Sequence, residues 1–146
     1  MWLACVSSEP SPADTPGFEL RWEHLIVTAA ELSRRYIEAH NSQDLDQLVA
    51  LVADEIDFKR PDDPVLTSRQ QVRERYATDW STHDQVHVSV LRLMEAGSTV
   101  IAEIEVDAGP PSHEWYRGVV IHDWNDDGLL VRYRLYVGDE RRGVGD

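Results

Sequence analysis

Glu103, Glu105 and Asp107 stand at alternate positions of the string Val100–Asp107. In a strand, residues at i, i+2 and i+4 share one face, so these three carboxylates share one side. If that side lines a cavity, repulsion and desolvation push the carboxyl pKa values apart and set a general acid beside a general base. If Ala102, Ile104 and Val106 face the core instead, the acids form a solvated outer face, which avoids the cost of burying them. His122 shares a strand face with Gly118 and Val120. It is either a proton shuttle near neutral pH or a satisfied core histidine. Tyr36 falls on an apolar stripe, where an aromatic side chain packs into the core. His83 and His87 have the i, i+4 spacing of metal ligands, but they straddle a loop and a strand start with no third ligand nearby, so no metal is expected. Asp57 and Lys59 share a strand face and form an ion pair either in a pocket or at the surface. No Gly-rich phosphate loop and no nucleophile elbow is present.

The elements that must position these residues are readable from periodicity. Trp22, Leu25, Ile26, Ala29, Leu32, Tyr36, Ile37 and His40 recur at steps of three and four and predict a long first helix, ended by Asn41-Ser42. Asp44 opens a short second helix with Leu45, Leu48, Val49 and Val52 on one face, closed by residues 53–55. Ile56–Lys59 reads as a short strand, and Arg60-Pro61-Asp62-Asp63-Pro64 as a loop. A third helix starts near Thr67 or Ser68, each with Gln three residues on, and carries Val72, Tyr76 and Trp80. A polar connection from Asp79 to Gln85 follows. Four strands then form a meander: Val86–Met94, Val100–Asp107, Trp115–Trp124 and Leu129–Val137. Their connections carry turn residues, among them Asn125-Asp126-Asp127-Gly128. Helices gathered before an antiparallel meander indicate an α+β domain with helices on one side of a curved sheet.

A chain of 146 residues fits one domain with a real core. A formal net charge of −13 argues against nucleic-acid backbones and anionic membrane surfaces as partners. The single cysteine, Cys5, excludes an internal disulfide framework. No apolar run is long enough to span a bilayer, and the start lacks the basic and long apolar regions of a signal peptide, so a cytoplasmic location is expected. Residues 1–17 are punctuated by Ser, Pro and Gly and read as a disordered tail. The domain is expected over 18–138, with a frayed end over 139–146.

Two strings carry a family resemblance: Arg35-Tyr36-Ile37-Glu38-Ala39-His40-Asn41-Ser42-Gln43-Asp44-Leu45-Asp46, running on to Glu55, and the closing hairpin Trp124–Tyr133. Over about residues 20–138 the chain resembles the NTF2-like superfamily, especially its branch of SnoaL-like polyketide cyclases, ketosteroid isomerases and limonene epoxide hydrolases. The resemblance implies a cone-shaped α+β barrel, three helices packed on the curved sheet around a mostly apolar pocket. It also implies a homodimer through the outer sheet faces, which fits Ile104 and Val106 if the acids point inward.

In the register of the family, Tyr36 matches the oxyanion-hole tyrosine of the isomerases. Their base position falls on Arg60 and their second oxyanion acid on Val120, so that mechanism is not expected. Asp107 matches one aspartate of the epoxide hydrolases, but Glu105 stands for their arginine and Leu135 for their other aspartate. The same register turns Glu103, Glu105, Asp107 and His122 toward the pocket. The expected catalytic set is therefore Asp107, Glu105, His122 and Tyr36. Tyr133, Glu103, Trp124, Val120, Leu135, Phe58 and Trp80 are expected to line the substrate, with Trp115 and Tyr116 as further aromatic wall. The implied activity is cofactor-independent acid–base chemistry on a small apolar, polyketide-like substrate, with no cofactor. The alternative is a non-catalytic ligand-binding or dimerisation module on the same scaffold.

Overall fold

The computed structural model describes residues 27–83, 85–110 and 114–142. The expected N-terminal tail, Cys5, the stripe positions Trp22, Leu25 and Ile26, and residues 143–146 lie outside these. Helix α1 spans Ala29–Asn41, capped by the Thr28 side chain, which accepts from the Glu31 amide. Its end is a Schellman turn: the Asp44 amide donates to Ala39 O and the Gln43 amide to His40 O. Gln43 takes the left-handed conformation such a turn demands, with φ 54°. Asp44 then caps helix α2 (Leu45–Ala50) by accepting from the Gln47 amide, so two helices share one tight joint.

Strand β1 spans Val52–Lys59 and is longer than the Ile56–Lys59 expected from sequence. Residues 52–55, read as the tail of the helix, are strand because β1 pairs in parallel with β6 (Leu130–Arg142), Val52 opposite Leu130. This long-range pairing outweighs local helix propensity. The three-residue β2 (Leu66–Ser68), unforeseen, pairs antiparallel with β1. It is too short to show a period. Helix α3 (Arg69–Thr82) begins where the capping spacing placed it. Ser68 Oγ accepts from the Gln71 amide, and Gln71 Oε1 accepts from the Thr67 amide. It continues past Asp79 to Thr82, into the stretch expected to be a connection.

Strands β3 (His87–Ala96), β4 (Thr99–Asp107), β5 (Trp115–Trp124) and β6 form the expected antiparallel meander. The sheet order is β2-β1-β6-β5-β4-β3, so the curved sheet is mixed rather than purely antiparallel, because β1 lies parallel to β6. β6 runs to Arg142, beyond the expected end at Val137. Gly118 on β5 sits at a register shift, where a Cβ would lie 2.5 Å from Tyr136 O. The core lies between the concave sheet face and the helices: Leu32 and Tyr36 of α1 and Val72 and Tyr76 of α3 meet Val100, Ala102, Val120, Tyr133 and Leu135. Asn41 ties α1 to the sheet: its Nδ2 donates to Val88 O at 2.8 Å and its Oδ1 accepts from the Val88 amide at 2.7 Å. Among the described residues no helix is long and apolar enough to cross a membrane.

Candidate functional site

Each element contributes to one cavity through its own periodicity. On α1, Ser33, Tyr36, Ile37 and His40 follow i, i+3, i+4 and i+7, and the last three line the cavity. On α3, Tyr76, Asp79 and Trp80 repeat the first three of those steps, and His83 follows as its C-cap residue. The loop after β1 brings Arg60 and Asp63 to the mouth, and the sheet supplies a floor that includes Ile104, Val106, Val120, His122, Tyr133 and Leu135. The cavity, open at its mouth, has a volume of about 320 Å³.

The acids of β4 are not part of it. Ala102, Ile104 and Val106 are 1%, 3% and 6% exposed, whereas Glu103 and Asp107 are exposed and Glu105 is half-exposed. The expectation that Glu103, Glu105 and Asp107 line the pocket is therefore corrected, and the catalytic roles of Glu105 and Asp107 lose their basis. Burying apolar side chains stabilises by about 1.5–3 kcal/mol for the larger ones, while burying unpaired carboxylates costs far more. Glu105 pairs with Arg117 across the strands at 3.3 Å. The Asp107 carboxylate accepts from the Gly109 amide at 2.8 Å and shapes the β4–β5 turn. The same orientation turns Ile104 and Val106 inward, so they do not supply the outer apolar face expected for a homodimer.

Other expected positions divide. Tyr36, His122, Tyr133, Val120, Leu135 and Trp80 all line the cavity, as does Tyr116. Phe58 is a correction: it lies behind Tyr133, the rings stacked at 4.2 Å, and does not reach the cavity wall. Trp124 is another. It is buried beside the cavity, and its indole N–H donates to Ser33 Oγ at 3.0 Å. Asp57 and Lys59 do not pair. Asp57 accepts from Arg134 at 2.7 Å, and the Lys59 ammonium donates to the carbonyls of Arg60 and Asp63. His83 stands at the cavity mouth and His87 on the opening of β3, on separate elements.

Inside, the polar groups are mostly neutral. The hydroxyls of Tyr36 and Tyr76 share a 2.8 Å hydrogen bond. Burial pushes the Tyr36, Tyr76 and Tyr133 phenols well above the ordinary value of 10, so all three stay protonated donors. His122 packs edge-on against Tyr36, ring centres 5.2 Å apart, and shares a 2.8 Å hydrogen bond from Nδ1 to Ser33 Oγ. Burial pushes the imidazole down to about 3, slightly opposed by Asp123, so it is uncharged at neutral pH. His40, one turn beyond Tyr36, is lowered by burial despite its contact with Asn41, and is likewise a free base.

Charge is confined to the mouth. Arg60 donates to Asp63 at 2.9 Å and to Asp79 at 2.8 Å, and Arg75 bridges the same acids at 2.9 and 3.5 Å. These four charges cancel, and the exposed Asp62 lines the cavity beside them. Burial works against the Arg60 charge, but Tyr76 and Asp79 outweigh it, and the guanidinium lies 5.7 Å from the Tyr76 ring centre. Arg60, His40, Tyr76 and Asp79 were not singled out as site residues from sequence. The available signal was a histidine inside the stripe of α1 and a tyrosine-aspartate-tryptophan stripe on α3. Ser33, opposite a strand 89 residues later, gave none.

The family model described as "SnoaL-like domain" matches residues 33–133. No functionally curated protein matches the sequence. The fold is similar to that of a putative ketosteroid isomerase from Kribbella flavida (20% identity, 77% of this chain and 78% of that chain, TM-score 0.65). It is also similar to an LEH-like epoxide hydrolase from M. tuberculosis (15%, 75% and 82%, TM-score 0.66). A computationally designed 17-OHP binder shares it as well (19%, 81% and 97%, TM-score 0.68).

Proposed function

Because the chain belongs to the SnoaL-like domain family and has its NTF2-like fold, we propose that it encloses a small, mostly apolar organic molecule bearing a keto or hydroxyl oxygen. It acts on that molecule by cofactor-independent acid–base chemistry. The observation that carries this reading is the cavity itself: a largely apolar floor, with three of its phenols and two of its imidazoles kept neutral by burial and the ion pairs gathered at the mouth. Such a site favours an apolar body and a few directed hydrogen bonds.

In the Tyr36–Tyr76 pair one hydroxyl donates to the other, and the accepting phenol keeps its own proton for a ligand oxygen. His40 is the base. It takes a proton from a carbon beside the ligand carbonyl, the phenol stabilises the oxyanion that forms, and the proton returns at another carbon, or the enolate attacks a second carbonyl whose oxygen then takes that proton from His40. Isomerisation and cyclisation of a polyketide-like substrate both follow from that step, and dehydration or epoxide opening needs the same donor and base. Solved proteins on this scaffold include an LEH-like epoxide hydrolase and a designed binder, an analogy at the level of fold alone.

The second reading, a binding module without turnover, is favoured by the outward direction of Glu103, Glu105 and Asp107, which leaves no carboxylate in the floor. Incubation with a panel of fused-ring ketones in heavy water separates the two. The catalytic reading expects saturable binding with loss of the α C–H signal above the buffer rate, slowed by roughly 10²–10⁴-fold in His40→Gln. Saturable binding with exchange at the buffer rate establishes the module instead.

A further inference from the structure

Ser33 is fully buried between two ring systems. Its Oγ lies 3.0 Å from Trp124 Nε1 and 2.8 Å from His122 Nδ1, and these are its partners among the described residues. An indole nitrogen donates and never accepts. Trp124 therefore takes a lone pair of Ser33 Oγ, and the serine proton is left with one acceptor, His122 Nδ1. If His122 carried its proton on Nδ1, two donors would converge on Oγ and the serine hydroxyl would have nowhere to donate, a costly state for a group with no access to water.

We infer that Trp124 and Ser33 act as positioning residues that hold His122 in its Nε2–H tautomer, so that the cavity floor presents a permanent, neutral N–H donor to the ligand. The chain of donation runs one way, from Trp124 N–H to Ser33 O–H to His122, and ends on the nitrogen turned from Ser33 toward the space that His122 lines. The depressed basicity of the imidazole agrees with this, since a ring that stays neutral keeps a single proton to place. The consequence is a ligand class: an oxygen acceptor, such as a carbonyl, meets His122, and a donor-only ammonium group is refused there. His122 thus polarises an oxygen and does not remove a proton, which leaves the base role to His40. This ligand class rests on the proposed function of the cavity, whereas the tautomer does not.

The test is a long-range 1H–15N spectrum of the labelled, ligand-free protein at about pH 7, the region where a free imidazole changes charge. Wild type is expected to show His122 protonated at Nε2 and bare at Nδ1. In Trp124→Phe, Ser33 Oγ is free to accept, and the Nδ1-protonated form rises roughly tenfold, the factor that one unpaired buried hydroxyl is worth. Ser33→Ala, a substitution suited to a helix interior, removes both contacts and is expected to populate both tautomers while the Trp124 indole N–H resonance moves. A proton on Nδ1 in wild type overturns the inference, and so does an unchanged Nε2–H tautomer in either folded variant. If Trp124→Phe does not fold, wild type and Ser33→Ala decide. Because no ligand is present, failure here is distinct from failure of the ketone panel to bind.

Discussion

The hydroxyl oxygens of Tyr36 and Tyr76 lie 2.8 Å apart, joining the middle of α1 to the middle of α3 inside the cavity. Tyr36→Phe removes the 2.8 Å partner of the Tyr76 hydroxyl. The expected cost is about 1–3 kcal/mol in urea unfolding, together with loss of α-hydrogen exchange on a bound ketone. Unchanged stability and exchange would remove the phenol pair from the account.

The acid strand yields an opposite expectation. Asp107→Asn and Glu105→Gln alter groups that face away from the cavity. Ligand affinity and turnover should stay within a factor of two or so of wild type, with stability changes of about 0.5 kcal/mol or less. A large loss of activity in Asp107→Asn would return that carboxylate to the site.

Stability should depend on acid through the buried histidines. The His122 pKa is about 3 in the folded protein against 6.5 for the free group, and His40 is lowered too. Between these values the unfolded chain binds more protons than the folded one, so stability is complete above about pH 6.5 and falls as pH drops toward 3. The loss is on the order of a few kcal/mol, and His122→Gln should flatten that limb of a pH series of urea melts. The raised phenols act at the other end: stability present below pH 10 declines above it, as tyrosines ionise in the unfolded chain first.

Gly118→Ala places a Cβ where Tyr136 O stands 2.5 Å away, and β5 and β6 must part to admit it. A loss of about 1–3 kcal/mol is expected in thermal or urea unfolding. A neutral result would mean that the strands separate freely at this register shift.

We propose that the chain pairs with a second copy through the convex sheet face, where Met94 and Tyr136 are both 55% exposed and Ile101 and Ile121 lie opposite each other. Light scattering at micromolar concentration should give the dimer mass for wild type and the monomer mass for Tyr136→Lys. A monomeric wild type removes the proposal.

The fold was legible where neighbours in sequence are neighbours in space. Trp115–Trp124 has the bounds that its run of β-branched and aromatic residues and its flanking turn residues predict, because both partners lie one hairpin away. The N-terminal half of β1 was not, since its partner in β6 is far along the chain and no local pattern announces a parallel pairing. The orientation of β4 was present in the sequence: Ala102, Ile104 and Val106 form the apolar parity, and packing energy follows it rather than the family register. Tyr36, His122 and Tyr133 were found as cavity residues through that register. Arg60, fixed by acids from two elements, and Ser33, which meets His122 and Trp124 only after folding, depend on tertiary contacts that carry no local signature.

The most direct measurement is a titration of the 15N-labelled protein with the fused-ring ketone panel. Saturable shifts are expected at Tyr36, His40, Tyr76 and His122, with Glu103, Glu105 and Asp107 unmoved. Shifts confined to the acid face, or no saturable shift with any ketone, would contradict the proposed function.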